Sequence, residues 1–90
     1  MSQPTVYKED SEVITIGWDY SPETVSNANI TISPSGLDKN GAEIIDGSQI
    51  KQSIKNGSDG KFYKVIFETT TNEGNTYIDV ILISVYSIPI

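Results

Sequence analysis

Hydrophobic and polar positions alternate most regularly in the second half of the chain. Lys61–Thr70 alternates residue by residue, and the inward row that this predicts is Tyr63, Val65, Phe67 and Thr69. Thr76–Tyr86 follows after Asn72-Glu73-Gly74-Asn75, a segment of the length that commonly closes a hairpin. A period of two is the pattern of a strand with one buried face. The pattern therefore predicts an antiparallel hairpin with Phe67 in a structural, core position.

Shorter alternating runs precede this hairpin, and clusters of turn-forming residues separate them. The predicted strands are Glu12–Trp18, Asn29–Ser33, Ala42–Asp46 and Gln49–Lys55, with Val6–Glu9 as a short edge strand. Turn formers such as Ser33-Pro34-Ser35-Gly36 recur about every 8–12 residues, which is the spacing of a β-sandwich or a small barrel. The chain is therefore predicted to be all-β, and its 90 residues leave room for one domain.

The approach to the Tyr63 strand favours one of these architectures. Asp59 and Gly60 stand just before the strand, and Tyr63 lies on its inward face. This order is typical of a tyrosine corner, in which the phenol hydroxyl bonds to nearby backbone and holds the loop that enters the strand. We therefore predict an all-β, immunoglobulin-like β-sandwich of six or seven antiparallel strands over residues 1–90, with a short flexible N-terminus of about residues 1–5.

Trp18 allows two interpretations. It shares the inward row of Glu12–Trp18 with Ile14 and Ile16, which favours a structural role as the largest filler of the core. The alternative is an exposed stacking platform for a sugar. A platform requires a second aromatic residue, Tyr20 or Tyr77, on the same flat face.

The closing strand has more apolar surface than one buried face needs. Val80–Val85 is apolar on both faces apart from Ser84, and a strand of this kind is covered on both sides. We assign Ile78, Val80 and Leu82 to the core. The residues predicted to form an interaction surface are Phe62, Ile66, Ile81, Ile83, Val85, Tyr86, Ile88 and Ile90. Two covers remain open at this point: the chain's own tail folded back, or an oligomer or assembly interface.

Composition removes most kinds of chemistry. The chain has no cysteine and no histidine, so it lacks disulfides, thiolate zinc sites and the usual general base near neutral pH. Its net charge is −6, with six lysines and no arginine, which argues against binding to nucleic acid. No apolar run is long enough to span a membrane, and the N-terminus lacks the basic and apolar segments of a signal peptide. We therefore expect no enzyme activity, no cofactor, no metal site, no nucleic-acid partner and no membrane partner.

Several segments together resemble a known group of proteins. They are Trp18-Asp19, the Ile-Ser-Pro-Ser-Gly-Leu of residues 32–37, the Gly-Ser-Asp-Gly-x-x-Tyr-x-Val of residues 57–65, the Thr-Thr-Thr-Asn-Glu-Gly of residues 69–74, and the apolar strand of residues 78–85. In this order they resemble the small immunoglobulin-like structural proteins of tailed bacteriophages and prophages. The likeness spans about residues 9–85, and the tail Ser87–Ile90 departs from it.

The resemblance implies a mode of use rather than a catalytic site. It implies a non-enzymatic virion protein, made in the host cytoplasm, that decorates the capsid or joins head to tail at the neck. Repeated copies would dock through β-surfaces on other virion proteins or on each other. The alternative is a carbohydrate-binding or adhesive immunoglobulin-like module of a phage tail or a bacterial surface.

Overall fold

The structure is a computed structural model that describes residues 3–88. Within that range the chain forms two packed β-sheets and no helix, so the all-β sandwich prediction is confirmed. The strands are β1 (Thr5–Glu9), β2 (Ile14–Asp19), β3 (Val25–Ser33), β4 (Leu37–Lys39), β5 (Ile44–Asp46), β6 (Gln49–Asn56), β7 (Phe62–Thr71) and β8 (Thr76–Tyr86). The segment predicted as a flexible N-terminus, about residues 1–5, overlaps β1 at Thr5.

The number of strands and the direction of one strand differ from the prediction. One sheet has the order β1-β8-β7-β3, and the other has β2-β6-β4, with β5 also paired to β6. The described residues therefore form eight strands rather than six or seven, and β1 runs parallel to β8 rather than antiparallel. Leu37–Lys39 was missed because a three-residue strand is too short to show alternation among turn-forming residues.

The core lies between the sheets and takes one row of side chains from each main strand. The predicted inward row of β7 is confirmed, because Tyr63 is 3% exposed and Val65, Phe67 and Thr69 are fully buried. The facing sheet contributes the buried side chains of Ile16, Ile50 and Ile54. These rows are two residues apart along each strand, as the pleat requires.

The face assignment of β8 is wrong by one residue. Ile81, Ile83 and Val85 were predicted to lie off the core, but they are 4%, 0% and 2% exposed. Their pairing with β7 explains this, because Val65 lies opposite Ile81 and Tyr63 lies opposite Ile83. Residues directly opposite each other in an antiparallel pair point to the same face. These three side chains are therefore not exposed and cannot form a docking surface.

Asp79 explains why the alternation of β8 was misread. It belongs to the inward row with Ile81, although a carboxylate usually faces water. The Tyr20 hydroxyl from the other side of the sandwich donates to Asp79 Oδ2 at 2.5 Å. Burial first, and this hydrogen bond second, raise the pKa of Tyr20 above its ordinary value. Satisfied in this way, a carboxylate can occupy the inward row at the end of the core.

The predicted tyrosine corner is present at the start of β7. The backbone N–H of Ser58 donates to the Tyr63 hydroxyl at 3.0 Å. Gly60 has a φ of +76°, which favours glycine, and its N–H donates to the Val85 carbonyl at 2.9 Å. The Asp59 carboxylate accepts from the backbone N–H of Ser87 at 3.0 Å. The loop before β7 is therefore bonded both to β7 itself and to the end of β8.

A fully buried lysine joins the two sheets near the end of β1. Lys8 Nζ donates to the backbone carbonyls of Asn56 at 2.6 Å, Glu9 at 2.9 Å and Asp10 at 3.4 Å. Burial lowers the pKa of Lys8, and the carboxylates of Glu12, Asp10 and Glu9 oppose that shift. Because Asn56 ends β6, the ammonium links the edge of one sheet to the other sheet.

At the opposite end of the sandwich, one carboxylate accepts three hydrogen bonds. Glu23 accepts from the Tyr77 hydroxyl at 2.5 Å, and from Thr71 Oγ1 and Asn75 Nδ2 at 2.7 Å each. These hydrogen bonds, with that from Tyr77 the largest cause, hold the pKa of Glu23 below its ordinary 4.5. The bonds tie the loop before β3 to the β7–β8 hairpin.

The hydrogen bonds to Glu23 predict that the free energy of unfolding depends on pH. The pKa of Glu23 is lower in the folded state than the unfolded value of 4.5, so the unfolded chain binds more protons as the pH falls. The stabilisation is therefore complete above pH 4.5 and is lost as the pH falls through the folded pKa. In urea unfolding we expect Glu23→Gln to be less stable than the natural chain at pH 7, by a margin that shrinks at pH 3. An equal margin at both pH values would contradict the assignment.

Candidate docking surface

One face of the sandwich carries a group of exposed apolar side chains that nothing covers within the described residues. We call the solvent-facing side of the sheet β1-β8-β7-β3 the outer face. Tyr7, Phe62 and Ile78 on this face are 71%, 69% and 66% exposed. Ile66, Val80 and Leu82 are partly exposed beside them. Tyr86, at the end of β8, alternates to the same side and is 41% exposed, so seven large apolar or aromatic side chains share one side of one sheet.

Strand pairing arranges the middle of the outer face in three rows across β7 and β8. Lys64 pairs with Leu82, Ile66 pairs with Val80, and Glu68 pairs with Ile78. Lys64 and Glu68 are both exposed. The central row is thus apolar on both strands, and each flanking row has one charged and one apolar residue.

The opposite outer surface has a different character. On β6 the positions that alternate with the buried Ile50 and Ile54 are Lys51, Ser53 and Lys55, all polar. Ile44 on β5 pairs with Lys51 and is 58% exposed, so it is an apolar residue set beside a polar strand. Single exposed apolar residues are normal in soluble proteins, whereas a contiguous apolar group marks an interaction site. The outer face is such a group, and Ile44 is not part of it.

The residues predicted to interact fall into four places. Phe62, Ile66 and Tyr86 lie on the outer face. Tyr86, which ends β8, is 41% exposed, and Ile88 beyond it is 57% exposed. Ile81, Ile83 and Val85 lie in the core, and Ile90 lies outside the described residues.

Four members of the outer face were missed by the sequence analysis. Ile78, Val80 and Leu82 had been assigned to the core, and Tyr7 had been given no role. The signal that identifies the first three is the aromatic row of β7: once Tyr63 and Phe67 are inward, the hairpin register decides which row of β8 faces outward. Tyr7 lies opposite Ser84 on the parallel edge strand, a pairing that no local pattern reveals.

Trp18, Tyr20 and Tyr77 do not form the flat platform that sugar stacking requires. Trp18 is half-buried and meets Phe67 edge to face, with ring centroids 6.5 Å apart and planes at 84°. Tyr20 stacks on Tyr77 with centroids 5.0 Å apart. Each of these rings is therefore packed against another ring of the same chain, and the structural interpretation of Trp18 agrees with this packing.

Comparisons with known proteins do not assign a function to this surface. No protein-family model matches the chain, and no curated protein matches it. Among residues 3–88, no three histidine, cysteine or acidic side chains are grouped as metal ligands would be. In the same range no helix could cross a membrane. Among the described residues, the outer face is therefore the feature that points to a function.

Proposed function

We propose that this protein is a non-enzymatic structural protein that docks in multiple copies through the outer face. The observation that supports it is the grouping of Tyr7, Phe62 and Ile78, each about two-thirds exposed, on one sheet. A free monomer would keep this apolar area in contact with water at a cost of about 25 cal/mol per Å². Burial against another protein surface removes that cost.

We further propose that the sandwich is immunoglobulin-like. The constant-type immunoglobulin fold places its second, fifth and fourth strands in one sheet and its third, sixth and seventh in the other. If β1 is taken as a first strand joined to the opposite sheet, and β4 and β5, which pair with two parts of the same edge of β6, are counted as one strand, then β2-β6-β4 and β8-β7-β3 follow that order. The tyrosine corner at Tyr63 supports the same assignment.

The proposed setting is a tailed-phage virion, as a capsid decoration or a head–tail (neck) accessory protein. The segments that resemble such proteins, from Trp18-Asp19 to the apolar strand β8, support this setting. A repeating particle surface also suits a small docking face, because weak contacts repeated over many copies give firm attachment. Each fully buried side chain of the size of Ile or Phe contributes about 1.5–3 kcal/mol.

Two isoleucine variants provide the test. We expect Ile78→Ser to weaken association in sedimentation velocity, raising the dissociation constant at least about tenfold, since about 1.5 kcal/mol or more of apolar burial is lost. The matched control is Ile44→Ser, because Ile44 is 58% exposed but lies away from the outer face. We expect the control to change the constant by less than about threefold, within the range of ordinary surface substitutions.

The second measurement is mass spectrometry of particles purified from cells that express the gene with its neighbours. We expect the natural protein to co-purify with the particles in many copies, and the Ile78→Ser variant to be depleted from them. A natural chain that stays monomeric at high concentration and is missing from the particles would overturn the proposed function.

A further inference from the structure

We propose that the partner of the outer face is a second copy of this chain, packed face to face about a twofold axis that runs along the central row of Ile66 and Val80. This inference rests on the proposed docking role of the outer face and names its occupant. It follows from the order of charged and apolar residues along β7 and β8.

The first part of the argument concerns charge. Lys64 and Glu68 stand two residues on either side of Ile66 on β7, and all three point to the same face. At about 3.4 Å per residue the two charges are about 14 Å apart along the strand. A twofold axis in the interface plane and perpendicular to the strands reverses the strand direction of the second copy. Lys64 of each copy then faces Glu68 of the other.

The apolar residues obey the same symmetry. Leu82 shares a row with Lys64, and Ile78 shares a row with Glu68. The rotation that exchanges the two charges therefore brings Leu82 of one copy onto Ile78 of the other. Ile66 and Val80, on the central row, meet their own counterparts. Each apolar residue of the three rows thus meets an apolar residue, and each charge meets its opposite.

This self-complementarity selects a second copy and also selects its orientation. An axis parallel to the strands sets Lys64 against Lys64 and Glu68 against Glu68 when it passes over β7, and like charges in close opposition are strongly unfavourable. When it passes between β7 and β8, it sets each charge against an apolar residue of the other strand, which buries the charge unpaired. An exposed Lys–Glu pair itself contributes little to affinity. The apolar rows therefore supply the affinity, and the charges determine the orientation. An isologous interface of this kind is the commonest way in which identical subunits pair.

The inference is tested by exchanging the charges. In the symmetric pair, Lys64→Glu sets acid against acid at two places, and Glu68→Lys sets base against base at two places. We expect each single variant to raise the dissociation constant measured by sedimentation equilibrium at least about tenfold. The double variant Lys64→Glu/Glu68→Lys restores opposite charges, and we expect its constant to return to within about threefold of the natural value. Urea unfolding of each variant checks that the fold is retained.

A crosslinking measurement gives a second readout that does not depend on charge. Because the natural chain has no cysteine, a single introduced cysteine is the only thiol present. We expect Ile66→Cys to form covalent dimers with a short bismaleimide, since facing sheets lie about 10 Å apart. Ile44→Cys is the control and should give few dimers at the same protein concentration.

The outcomes separate this inference from the proposed function. Restoration by the double variant together with crosslinking at position 66 supports the twofold pair. Single charge variants that associate normally, or a double variant that stays as weak as the singles, overturn it. If Ile78→Ser still removes the protein from particles in that case, the outer face docks on a different protein and the proposed function stands.

Discussion

Phe67→Ala is expected to lower the free energy of unfolding by about 3–5 kcal/mol. Phe67 is fully buried on β7, and its ring packs edge to face with Trp18 of the facing sheet. Removing the ring leaves a cavity between the sheets that neighbouring strands cannot fill, because both are held by their backbone pairing. Small domains are stable by about 5–15 kcal/mol in total, so the variant should unfold at a much lower urea concentration.

Phe62→Ala is the matched control for this prediction. Phe62 lies on the same strand, five residues earlier and on the opposite face, and it is 69% exposed. We expect its substitution to change the free energy of unfolding by less than about 1 kcal/mol while it weakens docking. Equal losses of stability from the two substitutions would contradict the division of β7 into a core face and a docking face.

Ile83→Ala is expected to lower the free energy of unfolding by about 2–5 kcal/mol, as buried isoleucine truncations do. Ile83 is fully buried and lies opposite Tyr63, so its removal opens space beside the tyrosine corner. The comparison variant is Ile78→Ala on the same strand, where the side chain is 66% exposed. Its expected loss of stability is below about 1 kcal/mol. Urea unfolding followed by Trp18 fluorescence measures both.

This pair of isoleucines tests the register of β8 directly. A register shifted by one residue would put Ile78 in the core and Ile83 in water, and the two effects would be reversed. The reversed result would also remove Ile78, Val80 and Leu82 from the outer face, and with them the proposed docking surface. The stability measurement and the association measurement therefore both test the register of β8.

Core and docking surface are separated in this protein by the pleat of two strands. Successive residues of β7 and β8 point to opposite sides, so Phe67 and Ile83 stabilise the fold while Ile66 and Ile78 remain outside it. Variants that disrupt docking without unfolding the chain are consequently available on the same strands that build the core. The buried Lys8 and the Glu23 cluster hold the two ends of the sandwich and lie apart from the central rows of the outer face.

The all-β class, the β7–β8 hairpin and the tyrosine corner could be predicted from local patterns. Strict alternation in β7 places aromatic and β-branched residues in one row, and only one side of such a strand can face the core. The hydroxyl of Tyr63 needs a polar partner when it is buried, and the loop entering its strand is the nearest source of a backbone donor. These features depend on residues close together in the sequence.

The outward row of β8 could not be predicted in the same way. Both of its rows are apolar, and the inward one contains Asp79, so the polar residue pointed to the wrong face. The phenol of Tyr20, far away along the chain, accommodates that carboxylate. The parallel pairing of β1 with β8, which brings Tyr7 to the outer face, also joins opposite ends of the chain.

By itself, then, the amino-acid order determined which segments are strands, which row of β7 is buried, and that apolar surface exceeds what one face of β8 can use. The tertiary structure alone decided which of the two rows of β8 is left in water and which strands stand beside it. The physical reason is that alternation specifies a pair of faces, whereas the choice between two apolar faces depends on pairing register and on polar partners supplied from the other sheet.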